Sequence, residues 1–274
     1  MANDSPRPDS TWAPDALRAD LAAALEAHQF FLVYQPTIDL QTNAFAGVEA
    51  LIRWRHPDRG VLNPEVFITE LETSGQITAV GRWALITACE QGAAWHDRGY
   101  RFSVSVNVSL EQLDRPGLSQ DVTHALASSR FDPSLLVLEF PFAAISGEGA
   151  ATATRLSDLA TLGVRLAIDN FSPNDDSIVV LQRFPIDVVK LAREFIAELT
   201  EEPTSRSHVQ QLVELAKSRG LRIIASGIED VDQRRRLQVD EVAMGQGFLF
   251  SKPHEAEEID RYLQDFSIFS GKPL

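Results

Sequence analysis

Four oxygen donors and one amine stand at or near the ends of apolar runs in this chain. Glu49 lies within Val48 to Trp54, Asn107 follows Phe102 to Val106, Glu139 follows Leu135 to Leu138, Asp169 follows Val164 to Ile168, and Lys190 closes Asp187 to Val189. Carboxylates and an amide carbonyl are hard ligands, suited to Mg²⁺ or Mn²⁺, with Ca²⁺ admissible, and unsuited to structural zinc. A metal held by such a set serves phosphoryl chemistry, in which one ion polarises the phosphate and a second, about 3.5 to 4 Å away, generates the attacking hydroxide. Asn170, directly after Asp169, offers only a neutral amide oxygen where a further carboxylate would offset a second divalent cation. One metal site at Glu49, Asn107, Glu139 and Asp169 is therefore expected, without a second. Taken singly, each of these residues reads as a solvated strand end or a satisfied hydrogen-bond partner; their convergence on one surface would make them a site.

Convergence requires a particular fold. Eight strand-like runs recur along the chain: Phe30 to Tyr34, Val48 to Trp54, Phe102 to Val108, Leu135 to Phe140, Val164 to Ile168, Asp187 to Leu191, Leu221 to Ala225 and Glu241 to Met244. Amphipathic stretches such as Asp15 to Gln29, Gly149 to Leu162 and Thr204 to Arg219 lie among them, the last ending at Gly220 as a helix stop should. Near-continuous apolar strands alternating with helices predict an α/β (β/α)₈ TIM-like barrel, whose strand ends meet at one face. Only the turn Asp39 to Asn43 separates the first two runs, so they are expected to pair as an antiparallel hairpin and make the start of the barrel irregular. A flat doubly wound sheet is the alternative, but no dinucleotide fingerprint follows the first strand, and Gly245-Gln246-Gly247 follows the last.

The remaining composition narrows the function. Of 274 residues, 44% are hydrophobic, ample for a core, and the net charge of −14 opposes non-specific nucleic-acid binding, which needs a basic face. No apolar run spans a membrane and no basic-then-apolar leader is visible, so a cytoplasmic location without membrane contact is expected. The single cysteine, Cys89, reads as a core thiol. Residues 1–14, rich in Pro, Ser and Asp, are expected to form a flexible tail, 15–266 the domain and 267–274 a second tail. No further module fits into either tail, so regulation is expected from a partner, dimerisation or ligand supply.

Several short motifs in co-linear order carry a family resemblance: Tyr34-Gln35-Pro36, Glu49-Ala50-Leu51-Ile52-Arg53-Trp54, His56-Pro57, Phe67-Ile68, Ser105-Val106-Asn107-Val108-Ser109 and Gln246-Gly247-Phe248. The chain resembles the EAL-domain family of cyclic di-GMP phosphodiesterases from about Leu21 to Leu263. The resemblance implies a barrel that opens one phosphodiester bond of cyclic di-GMP, giving the linear dinucleotide, with two Mg²⁺ or Mn²⁺ ions. Glu49, Asn107, Glu139 and Asp169 match the family's first-metal ligands and Lys190 its water-orienting lysine. Arg53 matches the arginine at the ligand phosphate, and Gln35, Leu51 and Gln246 match positions in the nucleotide groove.

The departures fall on the catalytic half. Where the family reads Asp-Asp-Phe-Gly-Thr-Gly-Tyr-Ser-Ser, this chain has Asp169-Asn170-Phe171-Ser172-Pro173-Asn174-Asp175-Asp176-Ser177. Loss of both glycines predicts a different loop path or strain, and Asp175 and Asp176 read as a solvated loop or helix cap. Phe142 replaces a glutamate that tethers the preceding loop, and Ser226 replaces a carboxylate acting at the water and metal. A neutral hydroxyl cannot take up a proton in that role. Glu229 reads as structural support. These losses favour a degenerate, catalytically impaired EAL domain that binds cyclic di-GMP as a sensor or effector. An active phosphodiesterase and a nucleotide-independent scaffold for a protein partner are the alternatives. The family's dimerisation near the loop after strand five leaves a homodimer open, because that loop is altered here.

Overall fold

The computed structural model describes residues 14–146, 150–198 and 203–270. Most of the expected amino-terminal tail lies outside the described residues, and the carboxyl-terminal one is described only to Ser270. The strands are β1 (Phe30–Asp39), β2 (Phe45–His56), β3 (Gly60–Leu62), β4 (Ser103–Asn107), β5 (Leu136–Pro141), β6 (Arg165–Phe171), β7 (Val188–Leu191), β8 (Arg222–Ala225) and β9 (Met244–Gly245). Strands β2 and β4 to β9 run parallel in sequence order, and β1 closes the ring by pairing antiparallel with both β2 and β9. Eight strands thus form the barrel, irregular at its first strand as the hairpin required.

Two details differ from expectation. The short β3 pairs with Trp54 to His56 at the end of β2, beyond the ring; three residues after a Pro-Asp-Arg-Gly turn are too few to show a period of two. The last strand begins at Met244 instead of Glu241. Asp240 caps the preceding helix and Glu241 turns left-handed, with φ of 59°, so pairing cannot begin before the chain has left that turn.

Around the barrel pack α1 (Pro14–Glu26), α2 (Ile68–Thr73), α3 (Ile77–Asp97), α4 (Leu110–Asp114), α5 (Leu118–Ser129), α6 (Ala143–Ser146), α7 (Ala150–Ala160), α8 (Asp175–Leu181), α9 (Arg193–Glu198), α10 (Pro203–Arg219), α11 (Val231–Val239) and α12 (Ala256–Ser270). The large core lies between strands and helices, as in a barrel whose strands are covered outside. Inside the barrel Val137, Ala167, Val188 and Ile224 form a separate apolar cluster, with Met244 against it. Side chains on one strand face repeat every second residue. One step of two along each of these strands therefore leads from that apolar floor to Glu139, Asp169, Lys190, Ser226 and Gln246. The floor fixes the register, and the register delivers the polar layer to the mouth.

No helix among the described residues is long and apolar enough to cross a membrane. Cys89 is fully buried in α3, and burial, followed by the neighbouring Glu90 charge, pushes its thiol up to about 12. The folded protein is therefore expected to resist alkylation at pH 8 and to take one label per chain after unfolding in urea. Equal labelling rates in the two states would contradict this placement.

Candidate functional site

The polar layer is built around Lys190 on β7, which is 2% exposed. Its Nζ donates to Glu139 Oε2 at 2.5 Å and to Glu49 Oε2 at 2.8 Å, and lies 3.7 Å from Asp169 Oδ1. Asn107 Nδ2 donates to Glu49 Oε1 at 2.7 Å. On the other side Gln246 Nε2 donates to Glu49 Oε2 at 2.9 Å and to Gln35 Oε1 at 3.0 Å, and Gln35 Nε2 donates to the Ser251 carbonyl at 3.1 Å. Strand register accounts for these meetings: Gln35 lies opposite Glu49, and Asn107 beside Glu139.

One lysine cannot neutralise three carboxylates equally. Burial opposes ionisation of Glu49, but the Lys190 charge and hydrogen bonds from Lys190, Asn107 and Gln246 outweigh it and hold this carboxyl below its ordinary range. Glu139 lacks the two amide donors; burial, reinforced by Glu49 and Asp169 against the pull of Lys190, pushes it up to about 8. Burial disfavours the Lys190 charge, yet Glu139, Glu49 and Asp169 together raise it well above its ordinary value.

The donor chemistry of Glu49, Asn107, Glu139 and Asp169 fits a hard divalent cation. Among the described residues, however, no group of three or more His, Cys, Asp or Glu side chains has the spacing of a metal cage. The carboxylate oxygens of Glu49, Glu139 and Asp169 are drawn onto the Lys190 ammonium instead.

Two cavities meet at Glu49 and Asp169. One, of about 250 Å³, is lined by Gln35, Lys190, Arg193, Ser226, Glu229, Gln246 and Phe248 among others. The second, of about 410 Å³, is mainly apolar and includes Leu51, Ile52, Ile68, Val80, Asn107 and Pro141. Glu49, Leu51 and Arg53 share one face of β2 by the period of two. Arg53 is half-buried, lines neither cavity, and donates back to the Ile52 carbonyl at 2.8 Å. Arg193, Glu229 and Phe248 were not singled out in sequence as site residues, although Phe248 ends the Gln246-Gly247-Phe248 motif and Arg193 lies three residues after Lys190.

The altered residues have distinct roles. Asn170 is left-handed, with φ of 55°, where the β6 to β7 register shifts between Ile168 and Phe171. Asparagine tolerates that conformation, and such a bulge re-aims a side chain beside a site. Of the different loop path or strain expected where the glycines are replaced, strain is not found: Asn174 has φ of −149° and Ser172 is not among the positive-φ residues. Asn174 instead caps α8 through a reciprocal bond with Ser177, leaving Asp175 and Asp176 in the exposed first turn. Phe142 meets Phe171 edge-on at 5.1 Å, an apolar tie between the β5 and β6 ends worth about 1 kcal/mol. The Ser226 hydroxyl is buried without a hydrogen-bond partner among the described residues.

A family model described as the EAL domain matches residues 18–253. The bifunctional diguanylate cyclase/cyclic di-GMP phosphodiesterase MucR of Pseudomonas aeruginosa is 34% identical over 88% of this chain and 35% of its own length. The cyclic di-GMP phosphodiesterase PdeR of Escherichia coli is 31% identical over 91% of this chain and 38% of its own. This chain thus spans little more than a third of these relatives. The solved structure of the PaMucR phosphodiesterase in complex with c-di-GMP has a TM-score of 0.84 and 34% identity, covering 89% of this chain and 99% of that one.

The lysine cluster generates a stability prediction. Lys190→Met, measured by urea unfolding in EDTA, is expected to lose about 3 to 5 kcal/mol at pH 7, because three carboxylates remain together without their cation. Removing the ammonium leaves burial to raise the Glu49 and Glu139 carboxyls above their values in the unfolded chain. The native variant then binds more protons, so its deficit shrinks as pH falls toward 5 and grows as pH rises. A small, pH-independent loss would show that Lys190 does not hold the cluster.

Proposed function

Because the chain belongs to the EAL domain family, we propose that it binds cyclic di-GMP across the two cavities at the barrel mouth, hydrolyses it slowly or not at all, and acts as a sensor or effector. The chain is related to cyclic di-GMP phosphodiesterases, and the similar PaMucR structure is a c-di-GMP complex. The observation that carries the reading is a contrast within one mouth. Glu49, Asn107, Glu139, Asp169 and Lys190 converge, whereas Asn170 and Ser226, where the family pattern has acids, are neutral.

The residues present divide the work. The mainly apolar cavity beside Leu51 offers a flat base the side chains of Ile52, Ile68 and Val80, and Gln35 and Gln246 offer amides on the other side. Glu49, Asn107, Glu139 and Asp169 would hold one Mg²⁺ or Mn²⁺, whose chemistry when bound is to polarise a phosphate oxygen. The family resemblance gives Lys190 the task of orienting a water, but neither Asn170 nor Ser226 can accept that water's proton. Losing one positioned base costs about 10²-fold to 10⁴-fold in rate, and the loss of the charge that retains a second cation adds to it.

Calorimetric titration with cyclic di-GMP in the presence of Mg²⁺ is expected to show saturable binding, weakened by Arg53→Ala. Product analysis with excess Mn²⁺ is expected to show little or no linear dinucleotide, while the Asn170→Asp/Ser226→Glu double variant is expected to gain turnover. Wild-type turnover of about 1 to 10³ per second would establish an active phosphodiesterase. Absence of binding would favour the nucleotide-independent scaffold.

A further inference from the structure

The smaller cavity contains a cation that the cluster does not use. Arg193, at the start of α9, lines it together with Asp169, Ser226 and Glu229. Its stem crosses Gly227 so closely that a Cβ there would lie 2.4 Å from Arg193 Cγ. Its guanidinium reaches Glu229 Oε1 through Nη2. A larger residue at 227 would therefore displace the arginine, and Gly227 has the left-handed φ of 76° that a side chain disfavours.

The two cations of this cavity differ in availability. Lys190 is buried and committed to Glu49, Glu139 and Asp169. The Arg193 and Glu229 side chains are 62% and 47% exposed, so their attraction is screened and the pair is readily rearranged. A guanidinium has five N–H donors in a planar fork, and the bond to Glu229 uses Nη2. A phosphodiester entering the mouth faces the carboxylates of Glu49, Glu139 and Asp169, while Asn170 and Ser226 add no positive charge. Arg193 is the one exposed cation among the described residues lining the cavity in which this repulsion must be overcome.

We propose that Arg193 is a phosphodiester-binding residue of this mouth. Its guanidinium takes non-bridging oxygens of the cyclic dinucleotide, and Glu229 holds the fork over the cavity until ligand arrives. Fork geometry matches phosphate oxygens in pairs, which a lysine cannot reproduce. The inference rests on the reading that a cyclic dinucleotide occupies the groove.

The test is calorimetric titration of cyclic di-GMP, with Mg²⁺ present, into wild type, Arg193→Ala, Arg193→Lys and Arg219→Ala. Arg219 donates to the Gln182 carbonyl, away from the mouth, and serves as a charge-matched control. Arg193→Ala is expected to raise Kd by about 10-fold to 100-fold, the range of a charged hydrogen bond. Arg193→Lys should recover part of the loss and Arg219→Ala should match wild type. Added KCl should weaken the wild type more steeply than Arg193→Ala, and unliganded melting temperatures should stay close, which separates binding from folding. If wild type binds and Arg193→Ala binds equally well, or if both alanine variants weaken alike, this inference fails and the functional reading stands. If wild type does not bind, both fail.

Discussion

An ammonium buried among three carboxylates is the constraint on which the mouth of this barrel depends. Lys190 comes from β7, Glu49 from β2, Glu139 from β5 and Asp169 from β6, so its hydrogen bonds and ion pairs tie together strands far apart in sequence. Such a group is costly to bury and tolerable only when its donors are satisfied. The amides of Asn107 and Gln246 complete Glu49, leaving Glu139 as the member on which burial weighs most. The cluster thereby positions groups that carry opposite charges within a few ångströms of one another, before any ligand arrives.

Most of this arrangement was legible in the sequence, for a definite reason. Each strand presents an inward side chain every second residue, and the floor of Val137, Ala167, Val188 and Ile224 stands two residues before Glu139, Asp169, Lys190 and Ser226. In parallel strands of a barrel, the polar residues at the ends of these runs must meet. The antiparallel opening hairpin followed from the shortness of its turn. What the pattern could not reveal was conformation without period. The three-residue β3, the left-handed Glu241 that delays β9, and the bulge at Asn170 depend on local backbone angles. Arg193 carries no signal in the sequence, and Glu229 reads there only as structural support, because a solvated ion pair on loops and a short helix looks like any other surface pair until the fold places it beside a cavity.

The loop after β6 illustrates how a departure can be locally consistent. Loss of its glycines brings no positive φ at Ser172 or Asn174; Pro173 is buried and Asn174 closes a capping box on α8. Phe142 against Phe171 supplies an apolar tie beside it. These are ordinary stabilising devices, so the segment is well formed on its own terms. Its unusual backbone geometry is concentrated at Asn170, directly beside Asp169.

Charge balance relates Asn170 to Ser226. With Glu49, Glu139 and Asp169 ionised, as a bound cation requires, and Lys190 protonated, the cluster carries two negative charges. One divalent cation cancels them. The family pattern places acids at both altered positions, which would add two further negative charges and so accommodate a second divalent cation. Replacing only one acid would leave an intermediate charge suited to neither arrangement; on the proposed reading, replacing both, as in this chain, would balance at a single cation. The two substitutions lie on different strand ends, β6 and β8, yet change the same electrostatic total. On the reading proposed for Arg193, a ligand phosphate would take its remaining counter-charge from that guanidinium, which holds no metal-bound hydroxide. The proposed reading would thus separate binding from hydrolysis, which a second ion would serve together.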